Sequence, residues 1–142
     1  MTVRTAEAEW KGDVKQGSGS LKLGSGAFSG VYSFGSRFES AAGTNPEELI
    51  GAAHAGCFSM ALSLILGKAG FTPKRIHTTA KVTIDIETLS ITTIDLTTEA
   101  EVPGIDEKAF QKCANDAKEG CPVSKALAGA KISLQAKLLS AA

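Results

Sequence analysis

The 142-residue sequence lacks an excess of either charge, since fifteen Lys and Arg offset fifteen Asp and Glu. No basic block stands out, so the phosphate-neutralising surface that nucleic-acid binding requires is missing. The opening residues, MTVRTAEAEWKGD, mix charge with weak alternation, where a secretory signal would run from basic to apolar. A cytoplasmic protein is the expectation. Cysteine is scarce: Cys57, Cys113 and Cys121 cannot all pair within one chain, and in a reducing compartment they read as thiols with chemical or packing roles. A zinc site drawn from these three with His54 and His77 lacks any CxxC or HxxxH spacing.

One feature is present in excess. Residues Leu49 to Leu66 run for eighteen positions without an Asp, Glu, Lys or Arg, which touches the lower length limit for a membrane span. The run nevertheless carries His54, Ser59, Ser63 and two glycines, and its ends lack aromatic or basic anchors. It therefore reads as a helix buried on nearly all sides of a soluble fold, with no membrane partner. The length suits one domain, residues 1–142, with a sizeable core.

Val3–Trp10, Ser20–Leu23 and Val31–Glu39 read as strands separated by glycine clusters. The stretch GSGSLKLGSGAFSG has neither dinucleotide spacing nor a following Gly-Lys-Ser/Thr, so its glycines predict hairpins and turns, not a phosphate loop. GTNPEELIG is the clearest helix start: Asn45 caps with Glu48 at the capping-box position, or Thr44 caps with Glu47, and Pro46 fits the first turn. That helix should run to about Lys68, before Gly70 and Pro73.

RIHTTAKVTIDIE then places Ile76, Thr78, Ala80, Val82, Ile84 and Ile86 on one parity, the pattern of a half-buried strand. Ile94, Leu96, Thr98, Ala100 and Val102 continue in phase beyond a hairpin across Thr88–Ser90. A helix from about Asp106 carries Phe110, Cys113, Ala114 and Ala117 along one face, and Gly120 closes it. CPVSKALAG reads as a short helix capped by Cys121, and KISLQAKLL as a last strand with Ile132, Leu134, Ala136 and Leu138 inward. The order predicts an α+β fold with an antiparallel sheet around a long central helix. One sheet face cannot cover a helix that is apolar all round, so a second subunit should cover the rest, giving a homodimer.

Among the thiols, Cys121 at a helix N-terminus is the one whose thiolate the local structure favours, although it also serves as a simple cap. Cys113 falls on a core stripe and reads as packing. Cys57 reads as a small core hydrophobe, with His54 one turn before it, close enough for a Cys–His pair. From the residues alone Cys121 ranks first as a nucleophile. Competing readings are acyl transfer or hydrolysis by Cys57 with His54, and a noncatalytic dimeric binding module.

The runs SRFESAAGTNPEELIGAAHAGCFSMALSLILGKAGFTP, EWKGDVKQGSGS, VPGID and EGCPVSKAL resemble, in order and separation, the osmotically inducible branch of the OsmC/Ohr family of thiol peroxidases. The likeness covers essentially the whole chain. It implies an intertwined homodimer with two active sites at the subunit interface, reducing organic hydroperoxides in oxidative and osmotic stress defence. It also implies a cysteine pair with no metal or organic cofactor, and an external dithiol as reductant, of the lipoyl type in some members. Matched by position, Cys57 attacks the peroxide, Cys121 resolves, and Arg37 of SRFE and Glu47 of NPEE assist. A guanidinium beside a buried thiol favours the thiolate, and Glu47 would hold Arg37 through a bidentate pair. Ten residues of straight helix separate Glu47 from Cys57 by about 15 Å along the axis, so Arg37 must be the intermediary unless the helix bends or the partner subunit contributes. Phe28, Phe34, Phe38, Phe58 and Met60 are candidates for an apolar surround that would favour an alkyl hydroperoxide over H2O2.

Overall fold

The computed structural model describes residues 1–139. The expectation of one domain over residues 1–142 therefore extends, at residues 140–142, outside the described residues. The chain divides into two compact units, Met1–Leu49 and the part from Ile50 onward.

In the first unit, β1 (Ala6–Lys11), β2 (Ser18–Leu23) and β3 (Ser29–Tyr32) form an antiparallel meander in the order β1-β2-β3. The glycines of the second connection serve a turn, as expected, with Gly26 at φ +78° where an L side chain would be strained. Gly19 serves packing instead: a Cβ there would stand 2.4 Å from the Tyr32 ring and 2.7 Å from the Trp10 ring. The strand expected over Val31–Glu39 stops at Tyr32. Ser33 caps a short helix, α1 (Phe34–Phe38), through a reciprocal capping box with Ser36 that gives the backbone an alternative to a strand ladder.

The long helix α2 (Pro46–Lys68) starts where Asn45 and Pro46 place it, with Asn45 Oδ1 accepting from the Glu48 N–H at 2.8 Å. It ends before Gly70, which has φ +93°. Within the second unit its Gly51, His54, Phe58, Leu62 and Leu66 are buried, whereas Ala52, Ala53, Gly56, Met60 and Leu64 are exposed. The expected burial on nearly all sides is thus corrected to one face, because a single sheet reaches only one side of a helix. By length and composition α2 is long enough to cross a membrane. Its inner face is nonetheless built for a polar partner: Ser59 donates to Thr78 Oγ1 at 2.7 Å, and Thr78 is bonded to Thr98 at 2.9 Å.

The second sheet has the order β4-β5-β6, from β4 (Arg75–Asp85), β5 (Ser90–Glu101) and β6 (Lys131–Leu139). The predicted inward residues hold from Ile76 to Val82 and from Ile94 to Val102. Ile86, assigned to the inward parity, is half exposed because the strand ends at Asp85, whose carboxylate accepts the Glu87 N–H at the hairpin turn. Two features differ from a single antiparallel sheet. The strands form two separate sheets, and β6 runs parallel to β5, since α3 (Glu107–Gly120) and α4 (Pro122–Ala126) form the crossover that parallel neighbours require.

The core of this unit joins Phe58, Leu62 and Leu66 of α2, Ile94, Leu96 and Ala100 of β5, Val102, and the predicted stripe of α3, Phe110, Cys113, Ala114 and Ala117. Asp106 caps α3 by accepting the Ala109 N–H at 2.7 Å. Cys113 is packing, as its position on the stripe implies.

Candidate active site

In the first unit the connection from α1 to α2 is tied down by side chains. Ser36 Oγ donates to the Thr44 carbonyl at 2.7 Å, and Asn45 Nδ2 donates to the Ser36 carbonyl at 3.0 Å. Asn45 therefore does two jobs, capping α2 and holding α1 against its start. This sets Arg37, in the last turn of α1, opposite Glu47, in the first turn of α2. Arg37 Nε donates to Glu47 Oε1 at 2.9 Å, and Nη2 forms an ion-pair contact with the same oxygen, also at 2.9 Å. The expected bidentate pair is corrected in one respect: both nitrogens converge on one oxygen, and Oε2 is buried without a partner. Glu47 is 9% exposed at its side chain and Arg37 36%, so an enclosed carboxylate holds a guanidinium that still reaches solvent.

That guanidinium also lies over the Phe38 ring, 5.1 Å from its centre, and Phe38 packs on Phe34 at 5.1 Å. Arg37, Phe34 and Phe38 line a cavity of about 260 Å3 with Trp10, Val14 and Tyr32. Of the five apolar candidates, only Phe34 and Phe38 line this cavity. Phe58 is fully buried in the core, and Phe28 and Met60 are exposed.

In the second unit, α2 and α4 bring together two thiols that are sixty-four residues apart in sequence. Cys57 Sγ and Cys121 Sγ are 2.7 Å apart and hydrogen-bonded, both as free cysteines. Cys121 is fully buried and closes no standard cap hydrogen bond. Burial pushes its pKa up. The neighbouring Cys57 thiol, together with the polar groups of the first turn of α4, outweighs that push and holds Cys121 below the usual thiol range. Cys57 is raised, first by burial and then by its hydrogen bond to Cys121.

His54 lies one turn before Cys57, but its Nε2 is engaged by Ser124 Oγ at 2.7 Å, and its Nδ1 is buried with no partner. No hydrogen-bonded Cys57–His54 pair forms. Burial lowers the His54 pKa, keeping the ring neutral. Ser124 escaped the sequence reading, although its place three residues after the cap in CPVS, where a polar side chain can reach back to the cap residue, was a usable signal. Among the described residues no three His, Cys, Asp or Glu side chains gather to hold a metal ion.

An α+β fold with two thiols in contact at the meeting of two helices defines a redox-competent cysteine protein. Comparison with known proteins makes the class specific. The profile of the OsmC-like protein family matches residues 39–136. Peroxiredoxin OsmC of Escherichia coli (strain K12) is 51% identical over 144 residues, covering 99% of this chain and 100% of that protein. Among solved structures, the organic hydroperoxide resistance protein OhrB of Bacillus subtilis superposes with a TM-score of 0.68 at 25% identity, covering 94% of this chain and 98% of that one. An organic hydroperoxide resistance protein from Elizabethkingia anophelis gives 0.70 at 26% identity, covering 97% and 99%. The chain belongs to the OsmC-like protein family.

Proposed function

We propose that the chain is a cysteine-based peroxidase that reduces organic hydroperoxides to alcohols, acting as a single OsmC-like domain in a cytoplasmic homodimer. The observation that carries this reading is the 2.7 Å contact between Cys57 Sγ and Cys121 Sγ, which permits disulfide formation without rearrangement of the helices that bear them. The 51% identical relative named a peroxiredoxin, and the solved relatives named for organic hydroperoxide resistance, support the same chemistry.

Cys57 attacks the terminal oxygen of ROOH. The O–O bond breaks, the alcohol leaves with the thiol proton, and Cys57 becomes a sulfenic acid. Cys121 then displaces hydroxide from that sulfur to form the disulfide, which an external dithiol of the lipoyl type reduces by exchange. Because burial raises the Cys57 thiol, its attack needs an added positive charge. Arg37 supplies that charge and stabilises the departing alkoxide, and Glu47 fixes Arg37 in place. The apolar rings beside Arg37 suit an alkyl group and favour an organic substrate over H2O2. The exposed apolar face of α2 is the surface the second subunit covers.

The test is to expose the reduced protein to one equivalent of cumene hydroperoxide without reductant and map the oxidised cysteines by mass spectrometry. A rapid Cys57–Cys121 disulfide, formed more slowly with H2O2, is expected. Untouched thiols would overturn the reading.

A further inference from the structure

Trp10, Gly19 and Tyr32 stand opposite one another in a single row across β1, β2 and β3. Side chains two strands apart are separated by roughly 9.5 Å of sheet, yet the Trp10 and Tyr32 ring centres are 5.3 Å apart, tilted at 52°. The rings meet because the residue between them has no side chain, and they bury Gly19 although Ser18 and Ser20 on either side are exposed. Both rings also line the cavity that holds Arg37. We propose that Gly19, through the Trp10–Tyr32 pair that meets over it, determines which organic hydroperoxides the chain accepts, selecting a single aryl group over a small alkyl group. The inference rests on the peroxidase reading, in which Arg37 stabilises the departing alkoxide, and specifies the organic group beyond it.

The cavity measures about 260 Å3, below the roughly 300–1,000 Å3 of pockets that enclose drug-sized ligands, so it suits one ring on a short branched stem. Trp10, Tyr32, Phe34 and Phe38 line it, and a ring in that space gains tilted aromatic contacts that a tert-butyl group cannot make.

The wall is also fixed. Trp10 Nε1 donates to the Gly12 carbonyl at 3.0 Å, in a turn where Gly12 takes φ +96° and the Gly17 N–H closes on the Asp13 carbonyl at 2.9 Å. The same turn carries Val14, another cavity residue, so indole and turn are held as one piece. With the sheet beneath it and the turn at its edge, the indole can yield only outward. A methyl group at Gly19 would stand 2.4 Å from Tyr32 Cε1 and 2.7 Å from Trp10 Cε3, too close for both rigid rings to stay in place. It would lift the pair off β2 into the cavity, and the space for an aryl group would be lost before the space for a smaller one.

The test measures single-turnover Cys57 oxidation in the reduced full-length protein with cumene hydroperoxide and with tert-butyl hydroperoxide, and reads the ratio of the two second-order rates. The wild type should favour cumene hydroperoxide by roughly threefold to tenfold, the range that ring-on-ring contacts are worth. Gly19→Ala should abolish that preference, a change in ratio that a general loss of active protein would not produce. Tyr32→Leu should lower the ratio likewise, and Tyr32→Phe, which keeps the ring, should preserve it. This second pair reads the same wall if Gly19→Ala does not fold. Equal rates in the wild type would overturn the inference, as would a preference retained in Gly19→Ala or in Tyr32→Leu, or one lost equally in the Leu and Phe variants. A wild type whose thiols ignore both peroxides would overturn the peroxidase reading instead. Trp10, the one tryptophan of the chain, then still decides the inference. The alcohol 2-phenyl-2-propanol should quench its fluorescence saturably in the wild type, tert-butanol should not, and Gly19→Ala should abolish the quenching. Equal responses to the two alcohols, or quenching undiminished in Gly19→Ala, would overturn it.

Discussion

Arg37 gives two nitrogens to a single oxygen of Glu47, each at 2.9 Å, while the second Glu47 oxygen stays buried and unpartnered. The carboxylate thus fixes the guanidinium without surrounding it, leaving its remaining N–H groups available. An ion pair serving stability alone would more favourably use both oxygens. Replacing Arg37 by Gln should lower the rate of Cys57 oxidation by roughly 10²–10³, the loss typical of one preorganised charge stabiliser. Stopped-flow measurement with excess cumene hydroperoxide checks this. An unchanged oxidation rate would return the pair to a structural role.

The two thiols should separate by role. Cys57→Ser should abolish peroxide consumption, because it removes the sulfur that attacks the peroxide. Cys121→Ser should still consume one equivalent per subunit and then stop, leaving a sulfenic acid that dimedone labels. Sustained turnover in Cys57→Ser would refute the assignment. Cys113, packed in the core beside Phe110, should remain reduced throughout.

Much of the fold was legible because its signals are local. Asn45-Pro46 started α2 where the structure starts it, the stripe Phe110, Cys113, Ala114 and Ala117 is the buried face of α3, and the strand parities held until the chain reached a turn at Ile86. Helix α1 was missed because Val31–Glu39 is apolar enough to pass for a strand, and the Ser33–Ser36 box that overrides it involves only two hydroxyls. The parallel pairing of β6 depends on where a helical crossover returns the chain, which no residue pattern within β6 encodes. For the site, a family motif was needed to put Cys57 ahead of Cys121. Local reasoning ranked Cys121 first from its place at a helix start, but the contact with Cys57 spans sixty-four residues and has no signature in either segment.

The buried histidine should leave a mark on stability. Burial holds His54 below its ordinary pKa of 6.5. Above pH 6.5 the ring is neutral both folded and unfolded, and its contribution is fully present. As pH falls through 6.5 the unfolded chain takes up a proton that the folded chain refuses, so stability should fall by up to about 1.4 kcal/mol per pH unit until the folded pKa is reached. Urea unfolding of the wild type and His54→Gln at several values between pH 7.5 and 5 checks this. The wild type should lose more stability toward acid than the variant, and parallel curves would show that His54 is not the group responsible.

The outward face of α2 yields a prediction about assembly. Ala53, Gly56, Met60 and Leu64 recur at helical spacing on the exposed side, with Met60 78% and Leu64 59% exposed. A Cβ added at Gly56 would meet nothing within 4 Å, so a neighbouring backbone can approach closely there. Small residues flanked by two long apolar side chains form the kind of strip that buries against a copy of itself across a two-fold axis. Met60→Glu would place a carboxylate from each subunit in that contact, at a desolvation penalty on the order of several kcal/mol per ion. Because Met60 lies outside the core, the folded chain should keep its helical circular dichroism while sedimentation shows the dimer dissociating. A wild type that sediments as a monomer would remove the dimer. A Met60→Glu variant that stays dimeric would move the interface away from this face, since buried carboxylates meeting at a two-fold axis cannot both be charged without that penalty.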